Sequence, residues 1–223
     1  MAGLMLTTPT GAVAAPAREP ADATNETAPA RLWLVRHGQS RWNVAGRIQG
    51  QSYRAGSLTP LGRAQAEQAA GQLAADAPDA VVVVASDLAR TAETAAIIAG
   101  QLGLPLQFDR GLREQNLGAL EGTRSVEPNG QADVLDLFWD EPYRTPPGGE
   151  SVAAMYDRVH RTLRRLAAAR PGAEVIVVTH GGPVRVAAVT CLPPPGMPLY
   201  RAAVGNASIT SWPGLTHTEM AAP

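Results

Sequence analysis

Arg36, His37 and Gly38 stand together at the end of an apolar run, Leu32-Trp33-Leu34-Val35, where a buried strand would open into a loop. In open α/β sheets, ligands bind beyond the carboxyl ends of the strands. An imidazole placed there can act as a nucleophile, and the adjacent guanidinium can grip a phosphoryl oxygen in bidentate fashion. Three residues recur by chance, so the pattern gains its weight from a second copy: the run Glu174 to Thr179 ends in His180-Gly181-Gly182. Three more chemistry-bearing residues join the argument. Asn43 lies in the loop after His37, Arg90 lies just inside a helix after Val81 to Ala85, and Glu114 lies in Leu112-Arg-Glu114-Gln-Asn-Leu-Gly118.

These side chains need elements to hold them. Residues 32–36, 81–85 and 174–179 read as short buried strands, and Pro105 to Phe108 and Ala207 to Trp212 as two more. Thr59-Pro60 predicts a capped helix to about Asp76, with Leu61, Ala64, Gln65, Gln68, Ala69 and Leu73 on one side. Ser86 is expected to cap a helix from Leu88 to Leu102, with Ile97, Ile98 and Leu102 inward. Val152, Met155, Val159, Leu163 and Leu166 form one helical stripe, and a last helix is expected over 183–191. Strands alternating with helices predict an α/β fold of three layers, α/β/α, with a mainly parallel central sheet. Residues 118–149, rich in Pro and Gly with a helical piece near Asp133 to Asp140, read as a long functional loop or lid.

Composition removes several classes. The 19 basic residues are all arginine, and without a lysine there is no Walker-type phosphate loop, kinase core or Schiff-base chemistry. A net charge of -1 offers no electrostatic case for nucleic acid or an anionic membrane. The single cysteine, Cys191, excludes an internal disulfide and is expected to be a buried, inert thiol. Residues 1–30, Ala-, Pro- and Thr-rich, read as a disordered extension preceding a domain over 31–215. Ala14-Ala15-Pro16-Ala17 resembles a cleavage site, but no positive segment precedes it and Thr7 to Thr10 interrupt the apolar stretch. The expected location is the cytoplasm.

Five blocks in order resemble the histidine phosphatase superfamily, the phosphoglycerate-mutase-like fold. They are Arg36-His-Gly with Ser40 and Asn43 following, Ser86-x-Leu-x-Arg-Thr-x-x-Thr-Ala95, Glu114-x-x-Leu-Gly-x-x-Glu-Gly122, Pro147-Gly-Gly-Glu-Ser151 and Val178-Thr-His-Gly-Gly182. The resemblance spans about Arg31 to Trp212 and points to the phosphatase branch. It implies phosphoryl transfer through a phosphohistidine on His37, with no metal and no cofactor. Arg36, Arg90 and His180 would surround the phosphoryl oxygens, and Glu114 would serve as general acid and base. Asn43, Gln49, Gly50 and Gly181 complete the substrate-contacting set that the resemblance implies. A neutral His37 is required, which Arg36 and Arg90 would favour.

Glu121 reads as a structural carboxylate bonded in its turn, and His160 and His217 as solvated bystanders. Neither histidine block offers a helical His-x-x-x-His pair for metal. Arg54 stands in a bridge, Gln51 to Ser57, that is slightly longer than in relatives and lacks their carboxylate. Facing solvent is its default, and facing the pocket it would meet a second anionic group of the substrate. Phe138, Trp139 and Tyr143 could line a leaving-group pocket or form a small core of their own. The expected substrate is a small phosphomonoester. A mutase, which must keep water from its phosphoenzyme, and a silent phosphate-binding regulator are the alternatives; a lid between Glu114 and His180 shorter than in the cofactor-dependent mutases favours hydrolysis. Nothing sets a register for a homodimer, although exposed sheet edges or helices would allow one.

Overall fold

The computed structural model describes residues 28–125, 133–199, 201 and 203–212. The extension expected over 1–30 lies outside them except for its last three residues, as do Pro128, Gly130 and His217. Ala30 is not loose: it is fully buried, and its amide donates to Ala167 O at 3.0 Å.

Five strands form one sheet: β1 (Arg31–Arg36), β2 (Ala80–Ala85), β3 (Leu106–Phe108), β4 (Glu174–Thr179) and β5 (Ile209–Trp212), in the order β3-β2-β4-β1-β5. All neighbours run parallel except β5, which pairs antiparallel with β1. The near-continuous apolar runs of β1, β2 and β4 follow from burial on both faces. Leu32, Leu34, Val82, Val84, Val175 and Val177 face one core, with α5 (Val152–Ala168) and α6 (Gly181–Ala187). Trp33, Val35, Val83, Ala85, Ile176 and Val178 face the other, with α2 (Pro60–Asp76) and α3 (Ala89–Leu102). The three layers are therefore those the alternation of elements predicts. A short α1 (Arg41–Val44) follows β1, and α4 (Asp136–Asp140) lies within the 118–149 segment. Among the described residues no helix is long and apolar enough to cross a membrane.

Several expectations need correction. Thr59 caps α2 as predicted, accepting from Gly62 N at 3.0 Å. Yet the inward face of α2 is Gly62, Ala66, Ala69, Ala70 and Leu73, and Leu61 is exposed. Close approach decides the rotation: a Cβ on Gly62 would fall 2.1 Å from Gln39 O, and one on Gly38 2.2 Å from Gly62 O. Small residues let α2 touch the loop after β1, and that contact outweighs burying one leucine.

The last helix ends at Ala187, short of the expected 191, which leaves Cys191 exposed ahead of Pro193-Pro194-Pro195. His160 is buried, stacked on Tyr156 at 4.1 Å with Nε2 2.9 Å from Val186 O. It lies next to Val159 on the stripe of α5, so it faces α6 and not water. Phe138 is core; Tyr143 is half-exposed and donates to Pro193 O at 3.0 Å.

Candidate active site

The sheet register brings the site together. Arg36 pairs with Thr179 and Ala85 with Val178, so the carboxyl ends of β1, β4 and β2 lie side by side. His37, His180 and Ser86 are the next residues along each strand. The His37 amide donates to Thr179 O at 2.9 Å, and the Ser86 amide to Val178 O at 3.0 Å.

His37 is 2% exposed. Its Nδ1 lies 2.7 Å from Gly38 O, and a carbonyl only accepts, so that nitrogen carries the proton. The lone pair then sits on Nε2, which accepts from Arg90 Nε at 3.2 Å. Burial first, then the charges of Arg90 and Arg36, hold the His37 pKa well below the ordinary histidine value, against the bond to Gly38. The ring is neutral in the folded protein.

Arg90 enters from the first turn of α3, where the helix dipole disfavours a cation. It is nonetheless 1% exposed. Burial pushes its pKa down to about 10, with Glu114 and Glu121 opposing and Arg36 adding to the fall. Its Nη2 donates to Gly50 O at 2.8 Å. Gly50 has φ +47, and a Cβ there would fall 2.2 Å from Glu121 Oε1. A larger residue there would be strained and would press on the Glu121 carboxylate. Glu121 is bonded in its turn as expected, accepting from the amides of Gln51 at 2.7 Å and Leu117 at 3.2 Å.

Ser86 does not cap α3; Leu88 is the cap residue and makes no side-chain bond. Ser86 Oγ lies instead 2.9 Å from His180 Nε2. The His180 ring packs edge-on to His37 with centroids 5.3 Å apart, and burial followed by Arg90 and the His37 ring lowers its pKa well below normal. His180 Nδ1 and Arg36 Nε are buried without a hydrogen-bond partner among the described residues. Arg36 Nη1 donates to Val204 O.

Opposite stands Glu114. Its two oxygens accept from the amides of Gln115 at 2.9 Å and Gly182 at 3.2 Å. Arg158 of α5 fixes the loop from behind, donating to Gly111 O, Arg113 O and Glu114 O at 2.9, 2.9 and 3.2 Å. Ser40 N donates to Asn43 Oδ1 at 2.9 Å and Ser40 Oγ to Gln49 Oε1 at 2.8 Å, which engages both amide oxygens and turns both NH2 groups away from Ser40.

A cavity of about 210 Å³ results, lined by Arg36, His37, Asn43, Gln49, Gly50, Arg90, Glu114 and Gly181 among others. Of the residues expected to meet substrate, only His180 is absent from this lining; it lies fully buried against His37. Arg54 does not line the cavity either, and belongs to a neighbouring cleft with Trp42 and Tyr53. Of the three aromatic residues considered for a leaving-group pocket, Trp139 alone lines it.

Sequence reasoning missed Arg47, Arg185 and Arg201, which also line the cavity, and Ser40, Ser86 and Asn206, which orient its parts. Arg185 had a usable signal, because a residue four after Gly181 shares its helix face. Arg201 had none, since it reaches the cavity from a stretch without regular structure.

Comparison with known proteins defines the class. The model of the histidine phosphatase superfamily (branch 1) matches residues 32–217. The chain belongs to that superfamily. It is 35% identical over 199 residues to a glucosyl-3-phosphoglycerate phosphatase of Mycolicibacterium vanbaalenii, covering 85% of this chain and 86% of the relative. It is 35% identical over 188 residues to the probable phosphoglycerate mutase GpmB of Escherichia coli, covering 81% and 83%. A solved mycobacterial glucosyl-3-phosphoglycerate phosphatase in complex with VO3 superposes with a TM-score of 0.67 at 30% identity, covering 82% of this chain and 92% of that one.

Proposed function

We propose that the protein is a phosphomonoester hydrolase acting on a small phosphorylated metabolite, with His37 as nucleophile and Glu114 as general acid and base. The observation that carries this reading is the state of His37: neutral, its proton held on Nδ1 by Gly38 O, its Nε2 lone pair facing Arg90 in the cavity. A lone pair so placed can attack phosphorus only if the phosphoryl oxygens are neutralised. Arg36 and Arg90 supply two guanidinium charges for that, and Asn43 and Gln49 lie beside them. Arg36 Nε and His180 Nδ1, buried without a partner among the described residues, are groups that a phosphoryl oxygen would satisfy at a gain over leaving them orphaned.

In the first step Nε2 forms a bond to phosphorus, the ester P–O bond breaks, and Glu114 gives its proton to the departing alkoxide. In the second step Glu114 takes a proton from water, and the water oxygen attacks phosphorus. The N–P bond breaks, and inorganic phosphate leaves with His37 neutral again. Every charge this scheme needs comes from side chains of the chain, so the reading invokes no metal. The superfamily relatives carry both phosphatase and mutase names, and phosphate release separates the two.

The test uses para-nitrophenyl phosphate and a panel of phosphomonoesters, with products assayed for both free phosphate and transferred phosphoryl groups. Quenching in alkali and mass spectrometry should find one phosphohistidine at His37. His37→Ala should lose the adduct and at least about 10⁴-fold in turnover, as removal of a nucleophile does elsewhere. A fully active His37→Ala protein would overturn the mechanism. Isomerised ester without phosphate release would replace the hydrolase by a mutase.

A further inference from the structure

Two histidine rings, His37 and His180, meet edge to face at the strand ends with centroids 5.3 Å apart. Both are neutral, each with a pKa held well below the ordinary value chiefly by burial. A neutral imidazole has one N–H and one lone pair, and its neighbours decide which nitrogen carries which. The neighbour of His37 Nδ1 is a carbonyl, Gly38 O at 2.7 Å, which only accepts. The neighbour of His180 Nε2 is a hydroxyl, Ser86 Oγ at 2.9 Å, which can donate or accept. What else Ser86 bonds to therefore sets the tautomer of His180.

Ser86 and His180 are both fully buried, so any polar group of theirs left without a partner is destabilising. Ser86 Oγ already accepts from the Leu88 amide at 3.4 Å. For its hydroxyl proton, His180 Nε2 is the sole acceptor among the described residues. Were Nε2–H to donate to Ser86, two groups would be orphaned: the serine proton, and the lone pair on Nδ1, which has no partner among the described residues. With Ser86 as donor to Nε2, only an Nδ1–H is left over. The second arrangement leaves fewer groups unpaired, and the one it leaves is a donor pointing away from Ser86.

We propose that Ser86 is a positioning residue of the phosphate site: its hydroxyl donates to His180 Nε2, fixes the ring proton on Nδ1, and so makes His180 an N–H donor to a phosphoryl oxygen. The same tautomer then serves two opposite ends. His37, with its Nδ1 proton spent on Gly38 O, keeps a lone pair for phosphorus, and His180, with its Nε2 lone pair spent on Ser86, keeps an N–H for an oxygen bound to that phosphorus. A bare Nδ1 lone pair would repel that oxygen, whereas a fixed N–H dipole stabilises the charge growing on it. That oxygen belongs to the hydrolase reading above; the tautomer is a property of the free protein.

Long-range 1H–15N spectra of protein labelled at histidine read the tautomer directly. The chain has four histidines, so single His→Gln variants assign the His180 ring. In wild-type protein at neutral pH, His180 should carry its proton on Nδ1, and saturating inorganic phosphate should move that Nδ1–H resonance downfield. Ser86→Ala should shift the ring toward the Nε2–H form that free histidine prefers. It should also weaken phosphate binding and lower kcat for para-nitrophenyl phosphate, each by about tenfold or more, as loss of a charge-stabilising donor does. Ser86→Thr keeps the hydroxyl and should keep the wild-type tautomer, a discrimination that a merely space-filling serine would not show. A wild-type ring protonated on Nε2 overturns the proposal without requiring any Ser86 variant to fold. An Nδ1–H that survives Ser86→Ala, or one that phosphate leaves unmoved, overturns it as well. An Nδ1–H that depends on Ser86 and engages phosphate, in a protein that releases phosphate from no ester, leaves the donor standing and removes the hydrolase reading.

Discussion

At the inner wall of the cavity, His37 and Arg90, with His180 packed behind them, are 2%, 1% and 0% exposed, and each bonds to backbone or to a buried side chain. On the outer wall Arg201, Asp133 and Arg47 keep part of their surface in water, and Arg201 and Asp133 are joined to each other by side chain alone. His37 and His180 follow the ends of β1 and β4, whose register is fixed by the sheet, and Arg90 stands in the first turn of α3 after β2. The outer ones come from α4's approach, the rim loop and an irregular C-terminal stretch. Preorganised groups in a dry wall stabilise developing charge without having to rearrange. Exposed side-chain pairs contribute little to stability and can be exchanged. Under the proposed hydrolysis the inner wall would carry the chemistry and the outer wall would meet the rest of the ester.

The largest break in that comparison should come from a single methyl group on the chemical side. A Cβ on Gly182 would fall 2.2 Å from Glu114 Oε1 and 3.1 Å from Met155 Sδ. Met155 is fully buried in the core, so Glu114 is the group that moves. Gly182→Ala should lower kcat by about 10²-fold or more, the worth of a placed general acid. Gly71→Ala, with nothing within 4 Å on α2, is the matched control and should keep full activity. Unchanged turnover in Gly182→Ala would remove Glu114 from its role.

Acid should discriminate next. The pKa values of His37 and His180 are pushed well below normal and that of His160 is lowered, in each case chiefly by burial. Below about pH 6.5 the unfolded chain therefore binds more protons than the folded one. Stability must rise with pH in that window and fall as pH drops from about 6.5 toward the lowered folded values. Each proton contributes a slope of up to about 1.4 kcal/mol per pH unit. Urea midpoints measured from pH 7.5 to 5 should fall steeply at the acid end. His160→Gln, which removes one titrating group outside the cavity, should flatten the slope. A flat profile in the parent protein would contradict burial as the cause.

The strand ends were legible in the sequence because two signals coincide there, a β-branched run buried on both faces and a glycine after the histidine. Thr59 and the stripe of α5 were legible for the same reason, since spacing alone determines them. What escaped depended on partners distant in sequence. Ser86 has the sequence of a cap, but its hydroxyl serves His180, whose buried Nε2 would be left unpaired otherwise. Leu61 lost its place to glycines that let α2 meet the Gln39 backbone. His160 is inside because α6 and β5 cover that side of α5, which no local pattern encodes.

The smallest effect should fall on Arg54, and it is the measurement that locates the outer wall. As the lone basic residue of the Gln51 to Ser57 bridge, Arg54 is the residue the sequence offers for a second anionic group. The structure puts it outside the cavity, exposed beside Tyr53 with its guanidinium 5.8 Å from that ring. An exposed side chain away from the reacting groups is worth within about 0.5 kcal/mol. Arg54→Ala should therefore leave kcat/KM within about twofold for every ester of the phosphomonoester panel. A larger loss confined to esters with a second anionic group would instead extend the leaving group across the rim at Arg47, which lines both the cavity and the neighbouring cleft.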